Sequence, residues 1–246
     1  MLAEVVDAAL DTQDRRRVRT ADRPKPLLAY VHRHLWKYRH MQPSPDPADW
    51  LVQDNHYGGF YELALDLGPA DDRRLAAALE ALWSAAGLGD AVKRAKGPTE
   101  FAAATPSVSQ LLSGELISAA EIPGLGRTLC KVFVIREEDF EAGKVRYGND
   151  WLDLCLPLGA LSRLDDRVGG YPFGDTSESA SWRSPIEEWF EGIVRSISQS
   201  VAFAHGISGF EVSGTDLAES QQQPGWCTVF RRTESGEVLI DGIEHW

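Results

Sequence analysis

The sequence predicts an α+β fold: a mixed or antiparallel sheet with two long helices packed on it, preceded by an N-terminal helical segment. Three observations predict this. The run Tyr61-Glu62-Leu63-Ala64-Leu65-Asp66-Leu67 alternates its leucines with smaller or acidic residues, the period of a half-buried strand. Two stretches repeat apolar residues at helical spacing: Leu75, Leu79, Leu82, Trp83 and Ala86, then Ile186, Trp189, Phe190, Ile193, Ile197 and Val201. Two further runs, Leu129 to Ile135 and Trp151 to Leu156, are apolar enough for buried strands.

In chain order, Leu2, Val5, Val6, Ala9 and Leu10 predict a first amphipathic helix. A second begins near Pro24 and Pro26 and carries Leu27, Leu28, Val31, Leu35 and Tyr38 on one face. Pro43-Ser44-Pro45-Asp46-Pro47 cannot be helical throughout, so it separates an N-terminal segment (1–42) from an α+β domain (48–246). The first strand ends at Gly68-Pro69, and Asp71 or Asp72 can cap the helix that Gly87 stops. Residues 87–127 are weakly patterned. Pro157 ends the Trp151 strand, and a short helix is expected over Leu158 to Leu164. Ser184-Pro185-Ile186-Glu187 reads as a capping box at the start of the second long helix. A short strand, Ile207 to Val212, precedes a hairpin, Trp226 to Arg231 and Glu237 to Asp241, turned at Glu234-Ser235-Gly236. The order of elements admits two βαββ-like halves, 48–127 and 128–246.

Lysine and arginine number 25 against 37 aspartates and glutamates, a net charge of −12. Residues 1–40 hold nine basic and five acidic side chains, so the rest of the chain is more acidic still. Such a body repels phosphate backbones and excludes nucleic acid as the expected ligand. No run approaches the roughly 20 apolar residues of a membrane span, and acids stand where a signal peptide would be basic. A cytoplasmic protein is expected. Cys130, Cys155 and Cys227 lie far apart in apolar runs, as reduced core thiols do.

The search for chemistry yields no catalytic signature. His32, His34 and His40 lack the spacing of a zinc site. Gly206-Ile207-Ser208-Gly209 is not a nucleophile elbow, because the second glycine comes one position early. Gly124-Leu125-Gly126 precedes a strand, so no phosphate cradle forms there. No catalytic residue, metal ligand or cofactor is assigned. Two alternatives stay open. Glu137, Glu138, Asp139, Asp150 and Asp153 lie at strand ends and would act as an acid–base cluster if they converged. Trp83, Phe133 and Trp189 would line an apolar ligand cavity between sheet and helices.

One long loop stands out. From Asp165-Asp166-Arg167 through Tyr171-Pro172-Phe173-Gly174-Asp175 to Trp182 it mixes acids, aromatics and glycines, the composition of a contact surface for a basic protein. His56 and Tyr57, ahead of the first strand, form a second such patch. Pinning of the loop to the core by Tyr171 and Phe173 is the alternative.

Tyr57-Gly58-Gly59-Phe60 at the entry to the first strand, the Gly68-Pro69 turn into a helix, and Pro224-Gly225-Trp226 before the last hairpin carry a resemblance. The chain resembles bacterial immunity proteins of polymorphic toxin systems, and one family that accompanies restriction-endonuclease-like toxins has a similar order of elements. That resemblance implies a cytoplasmic inhibitor whose partner is a basic, nuclease-like toxin. Ala70-Asp71-Asp72 stands where that family carries a basic residue, and no site residue is carried over.

Overall fold

The computed structural model describes Asn55 and residues 58–95, 100–141, 144–168, 177–212 and 227–241. Its elements are β1 (Phe60–Pro69), α1 (Asp72–Ala85), β2 (Ala91–Arg94), β3 (Phe101–Ala104), α2 (Val108–Leu112), β4 (Leu116–Ile122), β5 (Gly126–Glu141), β6 (Lys144–Pro157), α3 (Leu158–Leu161), α4 (Ser177–Ser198), β7 (His205–Phe210), β8 (Cys227–Arg232) and β9 (Val238–Asp241). The expected N-terminal helices and the proline-rich boundary fall in residues 1–54, outside the described residues.

The fold is α+β. The nine strands among the described residues join one antiparallel sheet in the order β3-β2-β4-β5-β6-β1-β7-β8-β9. The central position of β1 interleaves the two βαββ-like halves that the sequence admits. The first strand of the first half sits between β6 and β7 of the second.

Alternation of direction makes β1 parallel to β2 and β6 parallel to β7, so α1 and α4 lie in crossover connections. The two crossovers leave neighbouring antiparallel strands and travel opposite ways along the sheet. Crossovers of a common hand would put both helices on one face. α1 and α4 do touch each other. One core cluster joins Leu75, Leu79 and Leu82 of α1 and Ile186, Phe190, Ile193 and Ile197 of α4 to Leu63 and Leu65 of β1 and Leu152, Leu154 and Leu156 of β6.

Local signals explain the ends of these elements. Asp71 caps α1, its carboxylate accepting from the N–H groups of Arg73 at 2.8 Å and Arg74 at 3.1 Å. Gly58 and Gly59 both take positive φ, 88° and 82°. A Cβ on Gly59 would also lie 2.8 Å from the Phe210 ring, so this glycine pair is required by the way the chain enters β1.

Two expectations are corrected. The second long helix starts at Ser177, two turns before the expected capping box, and Pro185 lies inside it. The Ser184 hydroxyl donates to the Ala180 carbonyl at 2.9 Å, one turn back, so it serves no N-cap. The second concerns β1, which is buried on both faces rather than one: Glu62 is 3% exposed and Asp66 5%.

Candidate functional site

Of the expected contact residues, His56, Tyr57, Tyr171, Phe173 and Asp175 lie outside the described residues. Asp165 closes a turn. Arg167 Nε donates to Asp165 Oδ1 at 2.8 Å and Oδ2 at 3.0 Å, and Arg167 Nη1 donates to Ser181 Oγ at 2.6 Å. The Arg167 hydrogen bonds hold the Asp165 carboxyl below its ordinary value. Asp166 is exposed, while Val168, two residues on, is buried in the core. Trp182 belongs to α4 and is only 2% exposed. Its ring meets Tyr61 edge-on at 5.7 Å, so the indole is a core residue rather than part of an exposed loop.

Between α4 and the sheet lies a polar hub that the periodicity argument passed over. Tyr61 OH donates to Glu187 Oε1, and Ser208 Oγ donates to Oε2 at 2.6 Å. Thr228 adds a third hydroxyl and Arg183 a nearby positive charge. Tyr61, Ser208, Thr228 and Arg183 are all buried. Burial raises the Glu187 pKa above 4.5 despite these partners, and burial beside Glu187 holds the Tyr61 phenol well above 10.0, so the phenol stays a donor.

A carboxyl whose folded pKa exceeds its unfolded one binds more protons when folded, so its contribution to stability is present below 4.5 and lost as pH rises through the folded value. Wild-type protein should therefore gain stability relative to Glu187→Gln as pH falls from neutrality toward 4.5. Urea midpoints of both proteins across that range check this, and parallel pH profiles would remove Glu187 as the source.

The acid–base cluster does not assemble. Asp150 lies opposite Arg136 and Asp153 opposite Phe133 in the β5–β6 register, three residues apart on one strand and so on opposite faces. Asp150, 1% exposed, accepts two bonds from Arg136 and one from the Asp71 N–H, tying β5, β6 and the start of α1 together. Asp153, 0% exposed, belongs to the face away from α1 and α4. The Glu138 side chain is exposed, and those of Glu137 and Asp139 lie outside the description.

On that far face the register brings Glu62 beside Cys155 and Asp66 beside Trp151 and His205. Cys155 Sγ donates to Glu62 Oε2 at 3.0 Å, and burial followed by the Glu62 charge pushes the thiol pKa well up, so Cys155 is a poor nucleophile. Lys131, one strand further, bonds Glu115 at 3.0 Å and lies 5.1 Å from the Phe60 ring centre. Asn149 and the Gly68 N–H orient the Asp66 carboxyl. His205 Nδ1 approaches it to 3.6 Å, too far for a hydrogen bond. Among the described residues no group of three or more His, Cys, Asp or Glu side chains could hold a metal ion. The legible signal was in the partner strands: Ile207 and Val229 show that β7 and β8 are apolar on this side too.

The expected apolar cavity is also divided. Phe133 shares the Asp153 face, whereas Trp83 and Trp189 belong with the core on the helix side. Trp83 lines a groove of ≈ 550 Å³ between α1 and the start of α2. No helix among the described residues is long and apolar enough to cross a membrane. No protein-family model, no curated protein and no solved structure matches this chain.

Proposed function

We propose that this chain is a cytoplasmic protein-binding inhibitor, an immunity-type protein that neutralises a basic, nuclease-like toxin. One observation carries the reading. Val168 and Trp182 are fixed in the core on either side of a stretch whose sequence holds Tyr171, Phe173 and Asp175, with Asp166 exposed at its start. Rigid anchors flanking aromatic and acidic residues suit recognition, because contact residues near fixed elements lose less entropy on binding. The net charge of −12 attracts a basic partner over long range and speeds its capture.

The test is a tagged pull-down of the full chain from its native host at low and moderate salt, read by mass spectrometry. One stoichiometric basic partner is expected, captured less as salt rises. Its affinity should fall about tenfold or more for Tyr171→Ala with Phe173→Ala, the size of effect that aromatic hot spots carry. A bait that captures nothing at low salt sinks the inhibitor reading, and capture untouched by the double variant sinks this site.

A further inference from the structure

The groove between α1 and the start of α2 combines an apolar wall with one charge. Leu79 and Trp83 of α1 face Pro106 and Val108, and the space of ≈ 550 Å³ is within the range of small-ligand sites. Trp83 Nε1 donates to the Gly89 carbonyl at 3.1 Å, which fixes the ring. Leu112, one helical turn beyond Val108 on α2, is 45% exposed and continues the apolar strip.

Among the described residues, Glu80 is the one charged residue lining this groove. Other acids near α1 are already engaged. Asp71 caps the helix, Asp72 pairs with Arg136, and Glu115 pairs with Lys131 and Arg94. Among the described residues no hydrogen bond or ion pair engages the Glu80 carboxylate.

We propose that this groove seats a lysine side chain of the basic partner, its stem along Leu79, Trp83 and Val108 and its ammonium on Glu80. A lysine covers apolar surface with its methylenes while its head seeks an acid or water. The indole adds attraction for a cation. A neutral apolar guest would shield Glu80 from water without pairing it, and an anion would be repelled. The inference takes the lysine's source from the inhibitor reading, whereas the preference for an aliphatic ammonium is a property of the groove itself.

The experiment therefore has two arms. In the first, the full chain is titrated with n-hexylammonium and with n-hexanol, following the Val108 methyl and Trp83 indole resonances by NMR. Saturable shifts are expected, with hexylammonium about threefold or more tighter than hexanol, the advantage of a single exposed charge contact. Glu80→Gln should erase that difference. Equal binding of the two probes, a difference that survives Glu80→Gln, or no saturable shift at Val108 overturns the groove's assignment.

In the second arm, Glu80→Gln should weaken the captured partner about three- to tenfold. Capture unaffected by Glu80→Gln overturns the partner lysine as occupant. Failure to capture any partner tells against the inhibitor reading, and with it this source of the lysine, while the first arm still decides the groove's chemistry.

Discussion

Replacing Arg136 by alanine is expected to lower stability by about 3–5 kcal/mol, the cost of stripping one partner from a buried ion pair. The guanidinium donates to Asp150 Oδ1 at 2.6 Å and Oδ2 at 2.9 Å, and reaches Asp72 on α1 at 2.8 Å. The Asp150 side chain is only 2% exposed, so the deletion leaves a buried carboxylate with the Asp71 N–H as its remaining donor among the described residues. Asp72 is 67% exposed, and Asp72→Asn should cost less than about 1 kcal/mol. Replacing the pair together, Arg136→Met with Asp150→Leu, should recover much of the loss, because packed apolar groups need no counter-charge. Urea unfolding of the single and double variants closes the cycle. A cost below about 1 kcal/mol for Arg136→Ala would mean that Asp150 does not depend on this guanidinium.

Trp182→Ala should cost about 3–5 kcal/mol through the cavity it opens beneath α4. For a chain of this size that moves the unfolding midpoint by on the order of 10 °C. The indole packs against Tyr61, whose hydroxyl bonds Glu187, so the variant disturbs the hub as well as the apolar packing. The outcome separates two roles. A contact residue would weaken partner binding at unchanged stability. A core residue lowers the midpoint first, and an unchanged midpoint would contradict the packing described for it.

Much of the fold was legible because its longest elements obey simple periods. The leucines of β1 and β6 and apolar residues of α1 and α4 occupy one core cluster. Pattern failed where tertiary context overrode it. β2 and β3 are four residues each, and Phe101-Ala102-Ala103-Ala104 has too few β-branched or aromatic residues to announce a strand. The start of α4 is hidden in the sequence because serine, proline and glutamate at the right spacing imitate a cap, whereas Pro185 lies within a helix already running.

The candidate site was harder to read. Glu62 and Asp66 alternate with leucines as solvent-facing acids would, and only the register beside Cys155, Trp151 and His205 reveals that they are enclosed. Asp150 and Asp153 are near neighbours in sequence, yet an odd spacing on a strand sends them to opposite faces. Proximity along the chain was the misleading cue.

The placement of β1 has a kinetic consequence. It is the earliest described strand in the sequence, yet Tyr61 must find Leu156 on one side and Phe210 on the other. Neither neighbour exists until most of the chain has been made. A segment destined for burial on both faces and lacking both lateral partners is the kind most prone to pair wrongly while it waits. Closing such long loops before any contact rewards them places folding in the slow, non-local regime. The β5–β6 hairpin, whose strands are adjacent in sequence, can form early and then serve as the template on which β1 is laid.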